Sequence, residues 1–156
     1  MVEEGTPAPD FELPSDEGET VRLSELRGKP VVLYFYPKDD TPGCTTQACA
    51  IRDAWDDFRD RGAVVLGVSP DGEASHRKFK EKHRLPFTLL ADEEHEVSEL
   101  YGVWGERSFR GNTYMGVNRS TFVIGPDGTV VKALYGVKPD GHAGLVLDAL
   151  PDGTGG

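Results

Sequence analysis

Cys44 and Cys49 are the only two cysteines in this chain of 156 residues, and they lie five positions apart. A thiolate is a nucleophile, a metal ligand and a disulfide partner, so a close pair of cysteines suits catalysis, metal binding or redox exchange. Two cysteines are too few for a disulfide-rich secreted scaffold. Such a pair in a cytosolic chain is more typical of catalysis or metal binding than of structural cross-linking.

The residues before Cys44 predict the start of a helix. Thr41 supplies a hydroxyl that suits an N-cap, and Pro42 fits the first helical position. Cys44 then occupies the third helical position, where backbone N–H groups lack intrahelical acceptors and carry the positive end of the helix dipole. Both effects favour the thiolate over the thiol, so the sequence predicts a reactive sulfur at Cys44.

On a helix over 42–61 the two cysteines point in different directions. Cys49 groups with charged residues on the solvated side, whereas Cys44 belongs to an apolar stripe that continues through Ala48, Ile51, Trp55 and Phe58. Five residues of ideal helix place the two Cα atoms about 8–9 Å apart. A disulfide needs Cα atoms within about 7 Å and converging Cβ vectors. If the two cysteines form a disulfide, the first turns of the helix must therefore unwind.

Other interpretations of the cysteines stay open at this point. Cys44 also suits a buried filler of the apolar stripe, and Cys49 an incidental exposed thiol. A zinc site would need about four Cys or His ligands. No close Cys/His spacing links the cysteines to the four histidines, which we expect at the surface: His76, His83, His95 and His142. The spacing also differs from Cys-x-x-Cys, which argues against a thioredoxin-type dithiol exchanger.

Strands and helices alternate around this predicted helix. Apolar runs predict strands at 31–36, 63–68 and 88–91, separated by helices at 42–61 and 72–84. This alternation predicts an α/β sheet with parallel strands.

The second half of the chain predicts a hairpin. Strand-like runs at 120–124 and 129–135 flank the turn Gly125-Pro126-Asp127-Gly128, and an amphipathic helix fits 141–150. A smaller hairpin fits 11–13 and 20–23. This order is compatible with a thioredoxin-like fold, in which a central mixed sheet is flanked by helices and extended by an N-terminal β-hairpin. We expect one domain over 1–150 and a flexible C-terminal tail over 151–156.

The charge balance excludes two classes of partner. Net charge is −10 and the sequence pI is about 4.8, with basic residues scattered among more numerous acids. Nucleic acid and anionic membrane surfaces are therefore poor partners. No apolar run approaches the roughly 18 residues that cross a bilayer. The acidic, proline-rich N-terminus lacks the features of a secretory signal, so we expect a cytoplasmic protein.

The segment Tyr-Phe-Tyr-Pro-Lys-Asp-Asp-Thr-Pro-Gly-Cys-Thr-Thr-Gln-Ala-Cys, at 34–49, resembles the active-site segment of peroxiredoxins. The second cysteine, five residues after the first, resembles the bacterioferritin comigratory protein (PrxQ) subgroup. Further similarity lies at 87–92, 101–106 and 119–124, so the resemblance covers residues 5–150.

The resemblance implies a role for each of five residues. Cys44 matches the peroxidatic cysteine, and Cys49 matches the resolving cysteine of many members of the subgroup. Pro37 matches the proline that shields the thiolate pocket, and Thr41 the threonine whose hydroxyl contacts the peroxide. Arg119 matches the arginine that stabilises the thiolate and polarises the peroxide. Without the resemblance, the last three suit a strand terminator, a helix cap and a strand-edge salt bridge.

The implied function is a thiol-dependent peroxidase for hydrogen peroxide and organic hydroperoxides. It would work through a Cys44 sulfenic acid and an intramolecular disulfide with Cys49, recycled by thioredoxin or a similar dithiol. The resemblance implies no metal, haem, flavin or nicotinamide cofactor, and a monomer suffices because both cysteines share one helix. The alternatives are a protein thiol–disulfide oxidoreductase and a redox-sensing module on the same fold.

Overall fold

The computed structural model describes residues 2–150, apart from the side chain of Phe109. The elements follow in the order β1 (Glu12–Pro14), β2 (Thr20–Arg22), a short 3-10 turn (Leu23–Leu26), β3 (Val31–Phe35), α1 (Pro42–Asp53), α2 (Trp55–Asp60), β4 (Val64–Ser69), α3 (Glu73–His83), β5 (Thr88–Ala91), α4 (Glu96–Leu100), β6 (Trp104–Phe109), β7 (Asn112–Val117), β8 (Ser120–Ile124), β9 (Val130–Leu134) and α5 (His142–Ala149). The predicted tail at 151–156 lies outside the described residues.

A five-stranded mixed sheet, with the spatial order β5-β4-β3-β8-β9, runs through the middle of the molecule. Strands β3, β4 and β5 are parallel, whereas β8 and β9 are antiparallel to their neighbours. Central β3 is buried along its whole length because Val31–Phe35 carries only β-branched, leucine and aromatic side chains. The predicted α/β class and mixed central sheet are confirmed.

Successive side chains of β3 point to opposite faces of the sheet, so this strand contributes to a hydrophobic core on each face. The core on one face joins β3 to α1, α2, α3 and α5, and it includes Val32, Tyr34, Tyr36, Cys44, Ala48, Ile51, Phe58, Phe79 and Val146. The core on the other face joins β3 to α4 and the N-terminal hairpin, and it includes Phe11, Leu13, Val31, Leu33, Phe35, Val97, Tyr101 and Phe122. Right-handed crossovers explain why α1 and α3 share one face.

The N-terminal segment covers both edges of the five-stranded sheet. At one edge, Gly5 donates to the carbonyl of Val130 and Thr6 accepts from the amide of Val130, each at 2.8 Å. At the other edge, the amide of Asp16 donates to the carbonyl of Leu89 at 3.0 Å. The Asp16 carboxylate accepts from the amide of Leu89 at 3.0 Å in return. The backbone groups of Val130 and Leu89, one residue on each edge strand, are therefore paired within the chain.

The long helix predicted over 42–61 is wrong as a single helix. Ala54 has φ −98° and ψ 16°, so α1 ends at Asp53 and a separate helix, α2, begins at Trp55. The apolar stripe still reaches the core, since Phe58 is completely buried. Both cysteines lie on α1, before the break.

The hairpin formed by β6 and β7 was not predicted. Its two-residue turn consists of Arg110 and Gly111, whose φ angles of 51° and 82° are both positive. This is the geometry of a type I′ turn, which Asn-Gly and Asp-Gly pairs favour and Arg-Gly only half satisfies. Its strands also lack regular alternation, and Tyr114 and Met115 are more than half exposed.

None of the helices over residues 2–150 is long and apolar enough to span a lipid bilayer.

Replacing Gly67 with alanine should destabilise the fold. An ideal Cβ at Gly67, on buried β4, would lie 2.9 Å from the Tyr34 ring and 2.9 Å from Leu89. We expect the free energy of unfolding, measured with urea, to fall by about 1–3 kcal/mol, which is the usual cost of overpacking a core. Gly144→Ala is the control, because no atom lies within 4 Å of its ideal Cβ on α5. In this control the free energy of unfolding should rise by about 0.5–1 kcal/mol. Equal stability of the two variants would contradict the packing argument.

Candidate active site

Antiparallel pairing of β3 with β8 brings Arg119 to the helix that carries Cys44. Phe35, the last residue of β3, pairs with Ser120, the first residue of β8. Arg119 therefore precedes β8 at the end of the sheet where the chain leaves β3 toward α1. Residues 75 positions apart in sequence thus come into side-chain contact.

Cys44 lies in the first turn of α1, as predicted. Pro42 is the first helical residue and Thr41 is the N-cap residue, with an extended backbone at φ −89° and ψ 156°. The thiol is buried, with 1% of the residue exposed. Amides of the first turn have no acceptor within the helix, so their partial positive charge acts near the sulfur.

The side-chain cap predicted for Thr41 is wrong. Its hydroxyl donates to the carbonyl oxygen of Lys38 at 2.9 Å and makes no capping bond to α1. The reason is the loop that precedes the helix, which turns the Lys38 carbonyl toward Thr41. The hydroxyl proton is therefore used in the hydrogen bond to the Lys38 carbonyl, and the lone pairs of the hydroxyl oxygen can still accept hydrogen bonds.

The guanidinium of Arg119 bridges two side chains of α1. Its Nη2 donates to Cys44 Sγ at 3.3 Å, and its Nη1 donates to Gln47 Oε1. Two N–H groups of one planar fork are thus fixed at once, which a lysine could not reproduce. The fork therefore holds a fixed positive charge against the sulfur.

Two residues of this arrangement, Gln47 and Gly43, were not predicted. Gln47 is completely buried, three residues after Cys44 and on the same side of α1. A polar residue inside an apolar stripe is the sequence signal that would have found it. An ideal Cβ on Gly43 would lie 3.1 Å from Arg119 Nη2 and 3.3 Å from Pro139 Cγ. Glycine therefore lets the guanidinium approach the helix closely.

The other two predicted residues, Cys49 and Pro37, make no contact with the Cys44–Arg119 pair in any described interaction. Cys49 is half-buried on α1, and both cysteines are free thiols. α1 is continuous from Pro42 to Asp53, so the two sulfurs are held on one intact helix. Pro37 is exposed in the loop that follows β3.

A neutral polar layer lies near Arg119 on the helix face of the sheet. His142 is completely buried, and its Nε2 lies 2.7 Å from Thr121 Oγ1. Burial, reinforced by the positive charge of Arg119, lowers the pKa of His142 to about 4. Burial, reinforced by the negative charge of a Cys44 thiolate, raises the pKa of Tyr34 well above its ordinary value. Both groups are therefore uncharged at neutral pH, and neither adds a charge beside Arg119.

The surface position expected for the histidines is wrong for two of the four. His76 and His142 are completely buried, whereas His83 and His95 are partly exposed. Each buried ring is paired with a polar group distant in sequence, which local patterns do not reveal. Over residues 2–150 no three Cys, His, Asp or Glu side chains gather in a group that could hold a metal ion.

The geometry defines a nucleophilic centre. It places the N-terminus of α1 and a fixed guanidinium, both sources of positive potential, beside one buried sulfur. The same donors can stabilise charge that develops on an oxygen bound next to the sulfur. This arrangement suits attack on a polarised bond by the thiolate.

Comparison with known proteins identifies related chains. A family model described as the AhpC/TSA family matches residues 5–133. The peroxiredoxin Bcp of Bacillus subtilis is 51% identical over 151 residues, which cover 97% of this chain and 96% of that protein.

Two solved structures share the fold. The bacterioferritin comigratory protein of Xanthomonas campestris, studied for its alkyl peroxide reduction activity, matches with a TM-score of 0.85 and 38% identity, covering 90% of this chain and 89% of that chain. A cysteine-to-serine mutant of PrxQ from Xylella fastidiosa matches with a TM-score of 0.90 and 33% identity, covering 96% of each chain. The predicted thioredoxin-like fold is confirmed by these similarities.

Gly43→Ala should lower the reactivity of Cys44. The added Cβ would push Arg119 away from the sulfur, so the thiolate would lose part of its stabilisation. We expect alkylation by iodoacetamide to slow by roughly threefold to tenfold, which corresponds to about 1 kcal/mol. The measurement is made in a Cys49→Ser background, so that Cys44 is the thiol that reacts with iodoacetamide. Gly105→Ala is the control, since no atom lies within 4 Å of its ideal Cβ. Alkylation at the same rate in both variants would refute the role of close approach.

His142 should make the fold less stable in acid. Because its pKa falls to about 4 on folding, the unfolded chain binds the proton between about pH 6.5 and pH 4 and the folded chain does not. Stability is therefore lost as pH falls through this window, by an amount on the order of 3 kcal/mol. Urea unfolding of wild type and His142→Gln over this range tests the effect. The stability difference between them should shift in favour of the variant as pH falls, and a constant difference would contradict the assignment.

Proposed function

The chain belongs to the AhpC/TSA family, as a peroxiredoxin of the bacterioferritin comigratory protein (PrxQ) group, and on that basis we propose that Cys44 is the thiolate that reduces its hydroperoxide substrates. The observation that carries this proposal is the contact of 3.3 Å between Arg119 Nη2 and Cys44 Sγ at the start of α1. Hydrogen peroxide and organic hydroperoxides are the substrates.

In the first step the Cys44 thiolate attacks the terminal oxygen of the hydroperoxide. The O–O bond breaks as the S–O bond forms, so sulfur is oxidised to a sulfenic acid and the other oxygen leaves as hydroxide or alkoxide. A proton from solvent completes water or an alcohol. Arg119 and the first-turn amides of α1 stabilise the charge that grows on the leaving oxygen.

Thr41 and Pro37 have supporting roles in this proposal. The Thr41 hydroxyl already donates to Lys38, so its oxygen can accept a hydrogen bond from the peroxide hydroxyl and orient it. Pro37 follows the last buried residues of the central strand and would limit access of water to the sulfur. Both roles are carried over from the resemblance to the peroxiredoxins.

In the second step Cys49 resolves the sulfenic acid. Its thiolate attacks the Cys44 sulfur, the S–S bond forms as the S–O bond breaks, and the hydroxide that leaves takes a proton from solvent to become water. The intact helix keeps the two Cα atoms about 8–9 Å apart, so α1 must unwind between the cysteines before the bond can form. The half-exposed position of Cys49 leaves it free to move toward Cys44 when this happens.

A dithiol closes the cycle in the third step. Thioredoxin, or a similar dithiol protein, reduces the disulfide by exchange and becomes oxidised itself. The cytoplasm, predicted from the sequence, is a compartment that supplies such reductants. Because both cysteines belong to one helix, a monomer can complete the cycle.

Cys44→Ser and Cys49→Ser test these assignments. They make the same substitution on one helix, so each is a control for the other. Cys44→Ser should abolish thioredoxin-coupled peroxide consumption. Cys49→Ser should retain one equivalent of rapid peroxide reduction and then recycle slowly, because a sulfenic acid without a resolving thiol accumulates.

Three results would contradict the proposal. Undiminished turnover in Cys44→Ser would exclude Cys44 as the nucleophile. Normal thioredoxin-coupled recycling in Cys49→Ser would exclude Cys49 as the resolving cysteine. Slow oxidation of wild-type Cys44 without turnover would favour a redox-sensing module instead.

A further inference from the structure

A second polar cluster joins the loop that leads into α1 to helix α3. The Asp39 carboxylate is buried there and accepts hydrogen bonds from Tyr36 Oη and Ser75 Oγ. It also lies 2.7 Å from Nδ1 of the completely buried His76. The peroxide chemistry uses none of these groups, so the cluster needs an explanation of its own.

The His76 ring carries a positive charge in this arrangement. Nδ1 faces the Asp39 carboxylate, and Nε2 lies 2.8 Å from the carbonyl oxygen of Leu90. Both partners are acceptors only, so both ring nitrogens must carry hydrogen. Burial alone lowers the pKa of His76, but hydrogen bonding to Asp39 and its negative charge outweigh burial and raise the pKa above its ordinary value. Asp39, near the end of this loop, therefore forms a buried ion pair with His76.

The backbone of Asp39 is held as firmly as its side chain. Its amide donates to the Asp71 carboxylate at 2.7 Å, and the same carboxylate oxygen accepts from Ser69 Oγ at 2.7 Å. Ser69 is the last residue of β4, and Asp71 lies just before α3. Asp39 is thus tied to the sheet as well as to α3.

The C-terminal end of α3 contacts α1 at a point after both cysteines. Arg52 Nη1 donates to the carbonyl oxygen of His83 at 2.7 Å. Asp40, next to Asp39, lies 2.7 Å from Lys82 Nζ and 3.0 Å from His83 Nε2. The chain is therefore attached to α3 at 39–40 and again at Arg52. Both cysteines lie between these two attachments.

The attachments differ in strength. Asp40 is partly exposed, and its ion pairs are screened by solvent. Opening the His76–Asp39 pair would leave two unpaired charges inside the protein, which costs more than opening the hydrogen bonds of a helical turn. When part of this region opens, the residues between the attachments should open first.

We propose that His76 is a positioning residue, whose buried ion pair with Asp39 keeps the loop over 37–40 attached to α3 while the segment over 41–51 unwinds for disulfide formation. The inference rests on the proposed function, since it assumes that Cys44 and Cys49 form a disulfide. The loop keeps its place through the cycle, and Cys44 returns to Arg119 when the disulfide is reduced. His76 acts through Asp39 and never touches the peroxide.

Amide hydrogen exchange of the wild-type protein, followed by NMR, tests where unwinding stops. The disulfide form is prepared with diamide, a thiol oxidant, so the test does not depend on peroxidase activity. Amides over 41–51 should lose protection relative to the reduced form. The Asp39 amide, which donates to Asp71, should keep its protection in both forms. An Asp39 amide that exchanges as fast as those of 41–51 in the disulfide form would overturn the proposal.

His76→Gln tests the ion pair itself, with Lys78→Gln as the control from the exposed side of the same helix. In the disulfide form of His76→Gln, the Asp39 amide should exchange at least roughly tenfold faster than in wild type. The control should leave it unchanged. Adding Asp39→Asn to His76→Gln should restore part of the protection, because no unpaired buried charge remains. Unchanged exchange at Asp39 in His76→Gln would refute the role.

Peroxide reduction separates this inference from the proposed function. Single-turnover oxidation of Cys44 should slow by roughly tenfold in His76→Gln and remain normal in Lys78→Gln. If wild type reduces no peroxide but shows the predicted exchange pattern, the proposed function fails and the anchoring role stands. If wild type reduces peroxide but loses protection at Asp39 on oxidation, only the anchoring role fails.

Discussion

The guanidinium of Arg119 lies against the positive end of α1, and this pairing of like charges constrains the whole site. A cation and a helix N-terminus repel each other unless negative charge lies between them. Cys44 Sγ occupies that place, 3.3 Å from Nη2, and Gln47 accepts the neighbouring N–H. The sulfur therefore lies at the point where a negative charge would balance both positive groups. His142 and Tyr34, both uncharged, leave this balance undisturbed.

The same helix that favours the thiolate also separates it from Cys49. One conformation cannot meet both requirements, because the helical rise and the geometry of a disulfide are incompatible over five residues. On the proposed mechanism, α1 would therefore alternate between a helical and a locally unwound state. Two contacts with α3, the Asp39–His76 ion pair before the cysteines and the Arg52–His83 hydrogen bond after them, would keep such a change local while β3 and β8 hold Arg119 in place.

Local sequence patterns predicted the structural elements that depend on residues close together in the sequence. The buried strand Val31–Phe35, the helix start at Pro42 and the hairpin of β8 with β9 follow from short-range spacing and turn chemistry. The approach of Arg119 to Cys44 was available only through resemblance, because it depends on antiparallel pairing across 75 residues. The burial of His76 and His142, the direction of the Thr41 hydroxyl and the Arg110-Gly111 turn were missed. Each depends on a partner or loop conformation that composition and period do not encode.

The covered sheet edges have a consequence for aggregation. A protein that unwinds a helix during its cycle exposes backbone groups and apolar side chains, and open strands are templates on which such segments pair between molecules. Residues 5–8 pair with 128–130 at the start of β9, and Ser15 and Asp16 pair with Leu89 and Leu90 of β5, so backbone groups at these points of both edges are already bonded within the chain. The N-terminal segment thereby lowers the risk that a locally opened molecule recruits another copy.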